Sequence, residues 1–258
     1  MCTLVILRRP EENWPLLIAG NRDEMPDRPW LPPARHWPDR PEVVAGMDQL
    51  AQGSWMGLND HGLVGVVMNR WGTLGPDPAK RSRGELVLEA LDHAAAEAAA
   101  EALSALEPRA YRPFNLFIGD PQHAYVIRND GVRVNSYEVP AGMHMLTSLE
   151  LNDAADPRIR LHLPRFRAAE VPDPGCEQWH DWPRLLASGD SIDPGQRAGA
   201  MCFNLESGLT TLCSSLLALP RYPGPASRPQ WLFAAGAPAT ARFEPVDLEH
   251  RRQSLSDG

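Results

Sequence analysis

Short runs of β-branched and aliphatic residues, separated by turns rich in Gly, Pro, Asn and Asp, dominate the hydrophobic pattern of this chain. Such runs predict buried strands. Residues 3–7 and 16–19 form the first pair, with a polar turn near Glu11-Glu12. A hairpin that turns there places Cys2 opposite Asn21, at the start of the segment Asn21-Arg22-Asp23-Glu24. The pattern therefore predicts a thiol beside an amide, a cation and two carboxylates.

A second hairpin is predicted from residues 52–58 and 63–70, which flank the turn Asn59-Asp60-His61-Gly62. Pairing centred on this turn sets Asn69 opposite Gln52 or Gly53, at the open end of the hairpin. An Asn amide at the end of a buried strand is a suitable hydrogen-bond donor to an oxyanion. The alternative is that Asn69 only terminates the strand.

The rest of the pattern predicts an αββα architecture. A long helix is expected over residues 82–106, beginning at a capping box of Ser82 and Glu85, and the prolines of residues 25–33 predict irregular structure. Strands are expected at 114–118, 124–128, 132–139, 143–147, 200–205, 210–219, 230–235 and 242–248, helices at 156–169 and 177–187, and a frayed tail at 251–258. Two antiparallel sheets packed face to face, with helices outside, would use every element in one α+β domain spanning residues 1–258.

Composition excludes several classes of function. The chain has 258 residues, 43% of them hydrophobic, and a formal net charge of -8, which argues against nucleic-acid binding. Lys80 is the only lysine, so Schiff-base and P-loop chemistry are excluded. The four cysteines lack C-x-x-C spacing, so no metal site, redox dithiol or disulfide scaffold is expected, and Cys202 and Cys213 are expected in the core. With no bilayer-length apolar run and no signal peptide, these features predict a cytoplasmic protein.

The neighbours predicted for Cys2 suit nucleophilic catalysis. Removal of Met1, which a small second residue permits, would leave Cys2 with a free α-amine that can accept the thiol proton. Arg22 would lower the pKa of the thiol, and Asp23 would hold the amine. The alternative is a buried, unreactive cysteine next to a turn stabilised by an Arg–Asp salt bridge.

These residues resemble a known family. Met1-Cys2-Thr3, Asn21-Arg22-Asp23-Glu24, the hairpin of residues 53–62 and Met68-Asn69-Arg70 are similar to the NRDE family, also called the transport-and-Golgi-organisation family. More distantly, the chain resembles bile-salt hydrolases and penicillin V acylases, which are N-terminal-nucleophile (Ntn) hydrolases with a cysteine. The resemblance implies the αββα fold and hydrolysis of a C–N amide bond.

The resemblance also implies roles for individual residues. Cys2 would be the nucleophile, with Arg22, Asp23 and Asn69 as its catalytic partners. The related hydrolases carry a further Asn and a further Arg in the second half of the chain, and Asn152 and Arg158 are the candidates to replace them here. The residues expected around the substrate pocket are Asn21, Trp30, Gly53, Ser54, Trp55 and Thr147.

Two functions from different classes follow. The first is a cofactor-free amide hydrolase that acts on a small N-acyl substrate. The second, also implied by the family, is a non-catalytic protein that binds or traffics haem or a lipid on the same fold. Haem requires an axial ligand, and the segment Met143-His144-Met145 or Cys2 would supply it; the alternative for that segment is ordinary packing in a strand.

Overall fold

The computed structural model describes residues 2–193, 195, 199–221 and 228–249. The tail at 251–258, expected to be frayed, lies outside them. In the described residues the strands are β1 (Thr3–Arg8), β2 (Leu16–Glu24), β3 (Trp30–Ala34), β4 (Val43–Asp48), β5 (Met56–Asn59), β6 (Val64–Asn69), β7 (Phe114–Gly119), β8 (Ala124–Asn129), β9 (Val134–Glu138), β10 (Gly142–Leu146), β11 (Thr210–Leu219), β12 (Gln230–Ala234) and β13 (Glu244–Pro245); the helices are α1 (Glu85–Leu91), α2 (Ala96–Ser104), α3 (Pro157–Ala168) and α4 (Trp182–Leu186).

Two antiparallel sheets pack face to face, and helices cover their outer faces. The six-stranded sheet has the order β10-β1-β2-β11-β12-β13, and the seven-stranded sheet has the order β3-β4-β5-β6-β7-β8-β9. A core between the sheets includes Leu4 and Ile18. A second core, beneath α3 and α4, includes Val5 and Leu17, and a third lies between α1, α2 and the larger sheet. Strands β1 and β2 are buried on both faces, which explains their continuous apolar runs. The two packed sheets with helices outside confirm the predicted αββα architecture.

The first hairpin forms as predicted, but its second strand continues to Glu24 and does not end at Ala19. Thr3 pairs with Asn21 and Ile6 with Ile18. Continuing this register by one residue sets Cys2 beside Arg22. The predicted partner of Cys2, Asn21, was therefore wrong by one residue. β11 pairs along the other edge of β2, and β2 therefore lies at the centre of the smaller sheet.

The second hairpin is shorter than predicted. Gly57 pairs with Gly65, as expected for a turn at residues 59–62, but β5 begins at Met56 rather than at Gln52. Gln52 has a positive φ of 56°, and the Ser54 amide donates to the Gly84 carbonyl oxygen over 2.9 Å instead of to a neighbouring strand. Residues 52–55 therefore belong to the connection between β4 and β5, which packs against the start of α1.

The predicted single helix over 82–106 was wrong, because α1 and α2 are separate. The Asn59 side-chain amide donates to the carbonyl oxygens of Leu91 and His93, over 2.9 and 2.7 Å, at the break. The Asp120 carboxylate accepts from the Ala96 amide over 2.7 Å and caps the second helix. Both ends at the break are thus satisfied by distant residues, which overrides the high helix propensity of the alanine-rich sequence.

The predicted capping box was also wrong. Gly84, not Ser82, precedes the first residue of α1, and no side chain caps that end of the helix. The Ser82 hydroxyl instead accepts from the Gly84 amide over 3.2 Å, while Glu85 forms a salt bridge with Arg81.

Other predictions failed where tertiary contacts replace regular structure. The expected strand at 200–205 is absent from the described residues. Side chains of β2 and β11 instead donate hydrogen bonds to the backbone carbonyl oxygens of Met201 and Phe203. The helix expected at 177–187 is reduced to α4, with a proline in its first turn. The strand expected at 242–248 is only β13, since Pro245 lacks an amide to extend the ladder.

The prediction of irregular structure at 25–33 was wrong for its last residues. β3 contains Pro32 and Pro33, which an edge strand tolerates, and its pairing with β4 shifts register between Leu31 and Ala34. The strand β4 itself has no counterpart in the predictions. No helix in the described part of the chain is both long and apolar enough to cross a membrane.

The fold should be sensitive to acid through His162. This α3 residue is fully buried, and burial lowers its pKa to about 4. The unfolded chain binds more protons than the folded protein between the ordinary histidine pKa of about 6.5 and this value, so stability falls as the pH drops through that window. We expect His162 to account for a loss of about 3 kcal/mol in the free energy of unfolding.

Urea unfolding at several pH values measures this loss. The His162→Gln variant should show a flatter dependence on pH than the wild type, whereas the exposed control His61→Gln should follow the wild type. Equal acid sensitivity of His162→Gln and wild type would refute the assignment.

Candidate active site

Four residues with predicted catalytic roles line one cavity of about 220 Å³. Cys2 immediately precedes β1, Arg22 and Asp23 lie on the adjacent strand β2, and Asn69 ends β6 in the other sheet. The cavity therefore lies where the ends of strands from both sheets meet. Strand pairing brings Cys2 to Arg22 and Asp23, and packing of the two sheets adds Asn69.

The Asp23 carboxylate lies in a buried polar network. Its Oδ2 is 2.9 Å from Arg158 Nη1, and its Oδ1 accepts from the Thr211 hydroxyl over 2.8 Å. Arg158 Nη1 also donates to the Thr3 hydroxyl. Burial raises the pKa of Asp23, and the neighbouring positive charge of Arg158 opposes that rise. The network connects β1, β2, β11 and α3 directly beside Cys2.

Arg22 is almost fully buried, with 5% of its surface exposed. Its guanidinium carbon lies 4.1 Å from the centroid of the Trp55 ring, and its Nη2 is 3.6 Å from Asp48. Asp48 is also held by Arg28, whose Nε is 2.5 Å away. Arg22 Nη1 has no hydrogen-bond partner within the described structure. A cation that lines the cavity therefore retains a free donor.

The environment of Cys2 contains opposing influences on its thiol. Burial is the largest influence and raises the pKa of the thiol. The positive charge of the amino terminus, the Asp23 backbone N–H and Arg22 lower this pKa, while the Asp23 carboxylate raises it. Because the net direction is upward, the thiol needs a base to form the thiolate.

Asn69 is half-buried and pairs through its backbone with Phe114 of β7. Its side-chain amide forms no hydrogen bond with any other residue that the structure describes. The amide is therefore available to a bound molecule.

The residues expected around the substrate pocket divide into three pairs, of which only the first lines the cavity. Ser54 and Trp55 line the cavity. Trp30 packs behind it, with its ring 5.8 Å from Trp55 and 5.9 Å from Phe233. A Cβ atom at Gly53 would lie 2.5 Å from the Gly84 carbonyl carbon, so this glycine permits the close approach of two backbone segments.

Asn21 and Thr147 have structural contacts instead. The Asn21 amide donates to the carbonyl oxygens of Leu186 and Met201, and its oxygen accepts from Ser214. The Thr147 hydroxyl donates to Asp156 over 2.5 Å. Both side chains are buried and fix the outer helical layer to the smaller sheet.

Of the two candidates for the second-half residues, Arg158 reaches the site and Asn152 does not. Asn152 hydrogen-bonds to His144 and to the Met145 backbone. The Asp156-Pro157 helix start was the local signal that placed Arg158 in the first turn of α3. No pattern in the sequence indicated a site role for Asp48, Arg83 or Arg112, because strand β4, which ends at Asp48, was not predicted and the connections that carry the two arginines have no recognisable pattern.

The segment expected to ligate haem is engaged in the fold. The His144 ring nitrogens lie 3.0 Å from the Pro140 carbonyl oxygen and 2.8 Å from the Asn152 amide, and Met145 is fully buried. These contacts of His144 and Met145 favour ordinary packing in a strand over an axial ligand role for those two residues. In the described part of the chain, no cluster of three or more His, Cys, Asp or Glu side chains could hold a metal ion.

The profile of the family "Transport and Golgi organisation 2" matches residues 1–169. The chain belongs to this family. No curated protein sequence matches the chain. The family thus accounts for the amino-terminal two-thirds of the sequence, including every residue predicted to be catalytic.

Solved structures of Ntn hydrolases share the fold of this family member. One is a Caenorhabditis elegans N-acylethanolamine-hydrolyzing acid amidase ortholog, with a TM-score of 0.53 and 13% identity over 87% of this chain and 95% of that chain. Another is a mutant conjugated bile acid hydrolase from Clostridium perfringens, with a TM-score of 0.51 and 12% identity over 97% of this chain and 98% of that one. At this identity the likeness shows the fold alone.

The buried ion pair should be essential for stability. Arg158→Leu leaves the Asp23 carboxylate buried without its cation, and we expect a loss on the order of 3–5 kcal/mol in the free energy of unfolding. The matched control is Arg160→Leu on the exposed side of the same helix, which should cost far less. Urea unfolding of both variants provides the measurement.

A double variant separates charge from shape. Adding Asp23→Leu to Arg158→Leu removes the uncompensated charge and should recover part of the lost stability. The interpretation would be rejected if Arg158→Leu were no more destabilising than Arg160→Leu.

Proposed function

We propose that this protein is a cysteine N-terminal-nucleophile hydrolase that cleaves the C–N bond of a small amide, with Cys2 as nucleophile after removal of Met1. The observation that carries the proposal is the cavity itself. It is lined by a thiol, by an Asn amide and by a buried Arg, and within the described residues the amide and one Arg donor have no hydrogen-bond partner. These groups match the nucleophile and oxyanion donors that acyl transfer requires.

In the proposed reaction the α-amine of Cys2 accepts the thiol proton as the sulfur attacks the acyl carbonyl carbon. The tetrahedral oxyanion accepts hydrogen bonds from the Asn69 amide, with Arg22 Nη1 as the second donor. The α-ammonium then returns the proton to the leaving nitrogen, and the C–N bond breaks to release an amine. Water hydrolyses the thioester to a carboxylic acid and restores the thiol.

Asp23 has a positioning role in this proposal. Its backbone N–H donates to the Cys2 sulfur, and its carboxylate, fixed by Arg158 and Thr211, provides a negative charge beside the α-amine. Because burial raises the thiol pKa, the thiolate forms readily only if an adjacent base accepts the thiol proton.

Cytoplasmic location and freedom from a cofactor remain part of the proposal. Cys2, Cys176, Cys202 and Cys213 are all free thiols, which suits a reducing compartment. The alternative function, haem or lipid binding without catalysis, would not require the unbonded donors next to the thiol.

The proposal predicts that the mature protein begins at Cys2. Intact-mass analysis of the native protein tests this directly. Active protein that retains Met1 would exclude the α-amine of Cys2 as the base.

Alkylation should report the reactivity of Cys2. In a Cys176→Ser background, which removes the exposed thiol, iodoacetamide should label Cys2 faster than Cys213, whose pKa is raised by burial. Arg22→Leu should slow the labelling of Cys2, because Arg22 lowers the pKa of that thiol. The control is Arg28→Leu, which removes another cation of the cavity. Preferential labelling of Cys213 would contradict the assignment.

Asn69→Ala tests the oxyanion donor. A group that acts in the transition state should affect kcat more than KM, and loss of one donor typically lowers kcat on the order of 100-fold. Stability should change little, because the Asn69 amide has no partner among the described residues. Rates on a panel of N-acyl amides and melting curves of the same samples give both quantities.

Asn59→Ala is the matched control. The Asn59 side chain forms four hydrogen bonds to backbone groups at the end of α1 and in the hairpin turn, so its loss should lower the melting temperature and leave kcat of the folded fraction unchanged. A normal kcat in Asn69→Ala would remove Asn69 from the mechanism.

A further inference from the structure

Three basic side chains in the wall of the cavity, Lys80, Arg83 and Arg112, lack a carboxylate partner within the described residues. Lys80 Nζ donates to the Arg109 carbonyl oxygen over 2.9 Å. Arg83 donates to carbonyl oxygens at Thr73, Gly75 and Pro113 and to the Thr73 hydroxyl. These neutral acceptors position the cations without neutralising them.

Arg112 has the largest unused capacity for hydrogen bonding. Its contacts with the carbonyl oxygens of Leu74, Gly75 and Pro76 all involve Nη1, at 2.9 to 3.3 Å. A guanidinium group has five N–H donors, and within the described structure the Nε and Nη2 donors of Arg112 make no protein hydrogen bond. A planar pair of donors of this kind matches a carboxylate or phosphate group.

Three of the four acidic side chains that line the same cavity have a basic partner, and the fourth, Asp77, accepts from the Ala79 amide. Asp23 is paired with Arg158, and Asp48 is paired with Arg28. Glu24 is 4.0 Å from the same Arg28. Because Lys80, Arg83 and Arg112 outnumber Asp77, the unneutralised charge of the wall is positive, although the whole chain has a formal net charge of -8.

Two further observations point to a ligand. Arg22 is nearly fully buried and lines the cavity, and its Nη1 has no hydrogen-bond partner within the described structure, although its Nη2 lies 3.6 Å from Asp48. Burial and the nearby charge of Arg112 lower the pKa of Arg83 to about 10. Two guanidinium groups held close to each other repel, and a shared anion would relieve this repulsion.

We propose that the substrate carries an anionic oxygen group, a carboxylate or a phosphate, which Arg112, Arg83 and Lys80 bind while the scissile amide lies against Cys2 and Asn69. The assignment of the anion to a substrate rests on the proposed hydrolase function. The anion site itself depends only on the cavity and its unneutralised cations. A basic wall in a concave site would also raise the local concentration of an anionic substrate.

Calorimetric titration of the full-length Cys2→Ala protein tests the anion site separately from turnover. The probes are inorganic pyrophosphate and glutarate, which represent phosphate and carboxylate groups. We expect one of them to bind, with affinity that falls as salt concentration rises. The probe that binds more tightly identifies the class of anion, and binding by neither overturns the proposal.

Variants of Arg112 locate the site. Arg112→Met should weaken binding at least on the order of 10-fold, and Arg112→Lys, which keeps the charge, should retain more affinity than Arg112→Met. The matched control is Arg109→Met, since Arg109 is exposed and does not line the cavity. Equal binding by Arg112→Met and Arg109→Met, with melting temperatures like that of Cys2→Ala protein, would overturn the proposal.

Alkylation of the wild-type protein places the anion beside the nucleophile. The tighter probe should slow iodoacetamide labelling of Cys2 and leave that of the exposed Cys176 unchanged. No protection of Cys2 at saturating probe would overturn the placement. Anion binding and protection of Cys2, without turnover of any amide, would instead refute the hydrolase function and leave an anion-binding protein.

Discussion

The buried ion pair between Asp23 and Arg158 is the interaction on which the rest of the site depends. Removing two charges from water is costly, and mutual attraction offsets that cost only when the remaining polar atoms are also satisfied. Here the Thr211 hydroxyl donates a hydrogen bond to the Asp23 carboxylate, and the Thr3 hydroxyl accepts one from the Arg158 guanidinium group. Because these partners come from three strands and a helix, the pair specifies how α3 lies on the smaller sheet. It also fixes the backbone of residue 23 against the sulfur of Cys2.

The site combines a rigid floor with a basic wall of different origin. Its floor consists of strand ends, where regular pairing sets the positions of Arg22 and Asn69 within the two sheets. Its wall comes from the connection between β6 and α1 and from the residues before β7, where arginine side chains bind backbone carbonyl groups. The chemistry proposed for this family member is thus assigned to the sheets, and recognition of the substrate to the connections, a common division in enzymes.

Features that depend on contacts between residues close in sequence were predicted better than features that depend on contacts between distant residues. The register of the first hairpin was predicted to within one residue, because apolar strands and a polar turn carry local information, although β2 is five residues longer than predicted. The break between α1 and α2 was missed because Asn59 and Asp120, both distant in sequence, satisfy the helix ends. Arg158 was recognised only as a candidate through its likeness to related hydrolases. The cations of the wall were not predicted, since no periodic pattern indicates where an irregular connection returns to a cavity.

The Thr211–Asp23 hydrogen bond joins residues 188 positions apart in the chain. The strand that holds the Cys2 partners therefore cannot acquire its second neighbour, β11, until most of the polypeptide has been made. At about 5–20 residues per second, translation leaves an interval of roughly 10–40 seconds between the appearance of the first residues and that of β11. The removal of Met1 that the proposed mechanism requires can take place in this interval, since Thr3 is buried only in the folded protein. The order of synthesis thus separates the proposed removal of Met1 from completion of the polar network beside Cys2, because a chain that ends before β11 lacks the Thr211 partner of Asp23.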